Sequence, residues 1–133
     1  MTERGKIRNR DQAQQIRDFS GLKWGKITPT DIDAFFEINN ELFIIIEIKF
    51  KGKSMPYGQK WALERLVDAL QKDKNAILII AKHNERPNVD IDAAKCEVIK
   101  YRFKKEWIIV RKQWELKEFC DWFIEGMLGY LPK

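Results

Sequence analysis

Apolar positions along this chain fall into two repeating patterns that alternate. "LFIIIEIKF" (42–50) is the densest run, with Ile44, Ile46 and Ile48 on one side of an extended strand and Phe43 and Ile45 on the other. Apolar residues on both faces predict a central strand covered from both sides. Before it, "KWGKITPTDIDAFFEI" passes a Gly and a Pro into an extended segment over about 30–38, and Asn39-Asn40 between the two runs signals a hairpin.

The period then changes. "KGKSMPYG" makes a basic loop, and in "QKWALERLVDALQK" Ala62, Leu63, Leu66, Val67 and Leu70 recur at helical spacing. "NAILIIA" (75–81) reads as a short buried strand and "HNERPNVD" as a polar loop, followed by strands in "KCEVIKYRF" and "WIIV". A last helix is predicted over about 112–128, burying Leu116, Phe119, Cys120, Phe123, Ile124 and Met127. Near the start, "DQAQQIRDF" predicts a short helix over 11–19 that ends at Ser20-Gly21. The order of helix, strand, strand, helix, strand, strands and helix predicts a mixed α/β fold around one sheet.

Charge interrupts this pattern at one place. Glu47 and Lys49 share a face of the most apolar strand, and Asp31 and Asp33 share a face of the one before it. An ionised side chain buried alone costs several kcal/mol, so these residues need partners, a metal or a water-filled cleft. The hairpin register decides whether they meet. A two-residue loop pairs Ile38 with Glu41, so that paired numbers sum to 79 and Asp33 and Glu47 fall on opposite faces. A three-residue loop, Asn39 to Glu41 with an Asn in the left-handed region, pairs Ile38 with Leu42 and sums to 80. Asp33 then lies across from Glu47, and Asp31 across from Lys49. The even sum is predicted, because only it gathers the carboxylates on one face.

Two neighbouring carboxylates repel unless a cation lies between them, and Mg²⁺ typically takes one or two carboxylates and completes its shell with water and phosphate. A nearby lysine can hold the attacking water or the scissile phosphate, while the metal lowers the pKa of bound water. This is the chemistry of phosphodiester hydrolysis. Composition sets the frame: 133 residues with 44% hydrophobic content suit one folded domain, here 11–133, preceded by a basic arm over 1–10 that carries Arg8 and Arg10. A net charge of +5 favours a polyanionic partner. No apolar run approaches a membrane span and the N-terminus lacks the apolar stretch of a signal peptide, which predicts a cytoplasmic protein. Cys96 and Cys120 stand apart, without a CxxC pattern, and are read as reduced structural thiols.

"TDID", thirteen residues, then "EIK", with Glu-x-Lys in an apolar strand, resembles the PD-(D/E)XK nuclease superfamily, which includes type II restriction enzymes, archaeal Holliday-junction resolvases and small phage nucleases. The resemblance covers about residues 12–81. It implies a restriction-endonuclease-like α/β core, a central mixed sheet flanked by helices in αβββαβ order. Asp33 would match the first acidic residue, Glu47 the second and Lys49 the lysine, with the Ile48 carbonyl as a further metal ligand. Gln59 is similar in placement to a polar residue that several of the families carry after Glu-x-Lys, and its stripe with Leu63, Leu66 and Leu70 points it inward. The literal Pro-Asp is absent, since Pro29 is two residues ahead of Asp31, and Asp31 therefore rivals Asp33 for the first position. Some branches take a glutamate from the first helix, where this chain has Gln14, Gln15 and Asp18.

The resemblance implies a Mg²⁺-dependent deoxyribonuclease, with Mn²⁺ as a substitute. Lys51 and Lys53, directly after Glu-x-Lys, together with Lys60, Arg8 and Arg10, are the candidate DNA contacts, and "KYRFKKEWIIVRKQW" mixes cations with rings that suit phosphates and bases. So small a domain suits recognition of a junction, flap or end better than a long sequence. A homodimer would let two sites cut two strands. The competing expectation is a non-catalytic nucleic-acid-binding or assembly protein that keeps the fold and the basic face.

Overall fold

A computed structural model describes residues 18–133. The chain divides into two compact units, Met1–Thr30 and Asp31–Lys133. The basic arm with Arg8 and Arg10, Gln14 and Gln15, and the first predicted helix as far as residue 17 lie outside the described residues. In the described part of the first unit, the Asp18 carboxylate accepts hydrogen bonds from the Ser20 N–H (3.0 Å) and hydroxyl (2.6 Å). Trp24 and Ile27 exchange backbone hydrogen bonds across a tight turn that Gly25 enters at φ +63°.

The second unit begins with a hairpin, β1 (Ala34–Ile38) and β2 (Leu42–Phe50). Helix α1 (Tyr57–Gln71) leads to β3 (Asn75–His83), and a 3-10 turn (Ala93–Lys95) leads to β4 (Glu97–Phe103) and β5 (Glu106–Ile109). Helix α2 (Leu116–Leu128) closes the unit. The five strands form one sheet in the order β1-β2-β3-β4-β5, with β2 and β3 parallel and the other pairs antiparallel. Parallel neighbours cannot be joined by a tight turn, and α1 supplies the crossover between β2 and β3. The described order is therefore ββαβββα: two strands precede α1, where the αβββαβ order would put three.

Each face of the sheet packs one helix, and strand parity sorts the side chains. Even positions of β2 (Leu42, Ile44, Ile46) join Ile77 and Ile79 of β3, Val98, and Leu116, Phe119 and Phe123 of α2 in one buried cluster. Odd Ile45 joins Ala76, Leu78 and Ile80 of β3 with Leu63 and Val67 of α1 in the other. β2 has a strand at each edge and a helix over each face, the second as its two apolar faces require, and β3 holds the central place, buried from Ala76 to Ala81. At about 25 cal/mol per Å² of apolar surface removed from water, these two layers are the main stabilising term.

Two element ends differ from the sequence pattern, each for a local reason. β1 starts at Ala34 and not near residue 30, because the Asp33 N–H is directed to a side chain and not to the ladder. α2 starts at Leu116: before it, the Val98 N–H donates to the Trp114 carbonyl (3.0 Å) and the Leu116 N–H to the Cys96 carbonyl (2.7 Å), so residues near 114 extend along β4. The Glu118 side chain then accepts from the Glu115 N–H at 3.2 Å and fixes the helix start. Leu66 and Met127, read as buried, are exposed at the margins of the two helical stripes. The 3-10 turn had no apolar period to announce it; the Asp92 side chain caps it by accepting from the Ala94 N–H. Among the described residues, no helix is long and apolar enough to cross a membrane.

Candidate functional site

The β1–β2 turn sets the site. Asn39 and Asn40 both take left-handed φ values, +51° and +57°, and the three-residue loop pairs Ile38 with Leu42 and Ala34 with Ile46. Asn tolerates this conformation better than most residues, which is why the turn can sit here. Paired numbers sum to 80, the even register, and carried one residue past the ladder it sets Asp33 beside Glu47. The contacts agree. The Asp33 N–H donates to Glu47 Oε2 at 2.8 Å, and Asp33 Oδ2 accepts from the Ile48 N–H at 2.7 Å.

Glu47 is 1% exposed and is the only buried charged residue among the described residues. Its position in β2 points it toward α1, where Gln59 stands in the first turn. The Gln59 amide nitrogen donates to Glu47 Oε1, and its oxygen accepts from Lys49 Nζ at 3.0 Å. An amide between a carboxylate and an ammonium can satisfy both in one orientation only, so Gln59 holds the two charges in fixed relation. Lys49 Nζ also lies 3.5 Å from Glu47 Oε1. Burial pushes the Glu47 carboxyl above its ordinary pKa, and the neighbouring Asp33 charge adds to this. The Asp33 N–H and Lys49 act in the opposite direction.

Asp33, Glu47, Lys49 and Gln59 are thus brought together at the end of β2. Asp31, its rival for the first acidic position, precedes the ladder; its backbone carbonyl lies 3.5 Å from the Gln59 amide nitrogen. Ile48 packs its side chain on the α2 layer. A strand residue directs its N–H and C=O to the same edge, so the Ile48 carbonyl leaves β2 on the Asp33 side, beyond the last β1–β2 pair. Among the described residues, no group of three or more His, Cys, Asp or Glu side chains is placed to hold a metal. The donors here are two carboxylates and a carbonyl, a hard oxygen set that fits an ion which keeps several waters and shares its shell with phosphate.

Lys51 and Lys53 are exposed in the turn after β2, where Gly52 takes φ +85° and the Lys51 N–H donates to the His83 carbonyl at 2.8 Å. Lys60 directs its ammonium to the Trp107 ring, 5.7 Å from the centroid. The aromatic residues of 100–114 do not form an open stacking face: Tyr101 and Trp114 pack on Phe119, and Phe103 packs on Phe123. Trp107 donates its indole N–H to Glu64 and faces Lys100 at 4.8 Å and Arg102 at 5.9 Å. Period-two spacing in β4 could have foretold that Tyr101 and Phe103 point to one layer. The Asp68–Arg102 pair, bidentate at 3.0 and 2.8 Å, joins α1 to β4 and was not foreseen, because no local spacing relates the two residues. Comparison of the chain with family models, curated proteins and solved structures finds no match.

Proposed function

We propose that this protein is a metal-dependent nuclease of the PD-(D/E)XK type, built on a restriction-endonuclease-like core, that hydrolyses phosphodiester bonds in DNA. The observation that carries the reading is the reciprocal contact between the Asp33 segment and Glu47, with Lys49 held by Gln59 at the same strand end. Asp33, Glu47 and the Ile48 carbonyl would hold Mg²⁺, or Mn²⁺ in its place. The ion, when bound, polarises a phosphoryl oxygen and lowers the pKa of water. Lys49 donates to the Gln59 amide oxygen, which keeps its ammonium at the site and suits it to orient water or to hold the scissile phosphate. Gln59 positions Lys49 and Glu47, and Lys51 and Lys53 supply phosphate contacts on the way in.

The test is incubation with branched, single-stranded and linear duplex DNA in Mg²⁺, in Mn²⁺ and in chelator. Cleavage that needs the metal and falls at least about 100-fold in Lys49→Ala and Glu47→Ala supports the proposal. One observation favours the second reading, a non-catalytic DNA-binding protein: Glu47 already accepts hydrogen bonds from the Asp33 N–H and Gln59, a polar cluster complete without a metal. Tight binding with no cleavage under any metal would decide for that reading.

A further inference from the structure

The exposed side of α1 carries a feature that the hydrolytic site does not use. Tyr57, Trp61 and Arg65 follow one another at successive turns, on the side opposite to the buried Leu63 and Val67. Tyr57 is 75% exposed and Trp61 54%. The two rings are 6.1 Å apart and tilted by 42°, and the Arg65 guanidinium lies 6.0 Å from the Trp61 centroid. Adjacent exposed rings beside a guanidinium form a contiguous patch of the kind that marks an interaction surface, and they suit a partner with flat apolar faces.

Charge selects which partner. The first turn of α1 contains no acidic residue, and the loop leading into it carries Lys51 and Lys53, both exposed. Two rings flanked by cations suit bases between phosphates, whereas an apolar protein partner would leave these cations unpaired. Position strengthens the argument. Gln59, which touches Glu47 and Lys49, lies between Tyr57 and Trp61 in sequence and on the other side of the same turn, so the rings are about one helix diameter, roughly 10 Å, from the site.

We infer that the Tyr57–Trp61–Arg65 stripe is a stacking platform for unpaired nucleotides, and that the substrate class is DNA with a single-stranded segment next to the scissile phosphate. The location of that phosphate rests on the nuclease reading; the platform itself rests on the stripe. Duplex bases are stacked on each other and cannot offer their faces to the rings, so the platform distinguishes flaps, tails and open junctions from continuous duplex.

The test uses the full chain in chelator, with fluorescence anisotropy of a labelled oligo-dT strand and of a duplex of equal length. The wild type binds the single strand more tightly. Trp61→Ala and Tyr57→Ala each weaken single-strand binding about tenfold and change duplex binding less than twofold. Trp61→Leu, which keeps apolar bulk without a π face, behaves like Trp61→Ala, and Trp61→Phe retains most of the affinity. Wild-type single-strand affinity in Trp61→Ala, equal losses on both DNAs, or sedimentation showing that the rings join two copies of the chain would each overturn the inference. A platform that passes while no DNA is cleaved removes the nuclease reading alone; cleavage that ignores the rings removes the platform alone.

Discussion

Glu47 is held where a carboxylate is most costly to ionise, and this has a measurable consequence in the metal-free protein. Burial raises its folded-state pKa above the ordinary 4.5, so the folded protein holds this proton more tightly than the unfolded chain does. The resulting stabilisation is full below the ordinary value and is lost as the pH rises through the raised one. Thermal melts in chelator should show wild type losing stability relative to Glu47→Gln as the pH rises above 4.5; a pH-independent difference would count against this. Cys120 shows the same physics in a thiol, with burial pushing it up to about 11. Its thiolate is about 100-fold scarcer than that of an ordinary thiol of pKa 9, and alkylation at pH 8 should be correspondingly slower than in denaturant. That Glu47 and Lys49 share a face was legible from parity; that Asp33 joins them hung on whether the Asn39-Asn40 loop takes two residues or three. The part of Gln59 as a bridge was not, because helical phase gives a direction but not the depth to which a side chain reaches.

At the level of elements, the β1–β2 turn carries the site. Asn40→Val should cost about 1–2 kcal/mol, since a β-branched residue is strained at φ +57°, while Asn40→Gly should stay within a few tenths. Deleting Phe36, an exposed position of the edge strand β1, slips the residues before it by one place, so that Asp33 comes opposite Ile46 and leaves the face of Glu47. Folded protein without metal-dependent cleavage is the expected result, checked by circular dichroism beside the nuclease assay. Ile45→Ala, in the fully buried α1 layer, should lower stability by about 2–5 kcal/mol. The strands and α1 were readable because period two and period 3.6 leave distinct traces. The start of α2 was not, since it depends on Trp114 and Leu116 bonding to β4, a partner distant in sequence.

For the whole molecule, the sheet supplies rigidity and its two layers divide the work: α2 completes an apolar core, and α1 completes both a core and a polar site. With a net charge of +5 and lysines beside that site, the proposed DNA binding would be dominated by phosphate contacts, so affinity should fall steeply between 50 and 200 mM salt, by roughly tenfold for every two phosphates engaged. Lys51→Ala and Lys53→Ala should each reduce the salt slope by about one and leave melting unchanged, as exposed loop positions permit. Fold class was open to reading because each element buries a recognisable stripe, whereas the Asp68–Arg102 clamp between α1 and β4 could be seen only once the sheet was assembled. The proposed site needs Asp33 and Glu47 to hold a divalent ion, and electron paramagnetic resonance of Mn²⁺ titrated into the protein reads this without any cleavage assay. One bound ion per chain is expected, lost in Asp33→Ala and in Glu47→Ala and retained in Lys49→Ala. Free Mn²⁺ spectra throughout the wild-type titration, or binding unchanged in both carboxylate variants, would contradict it.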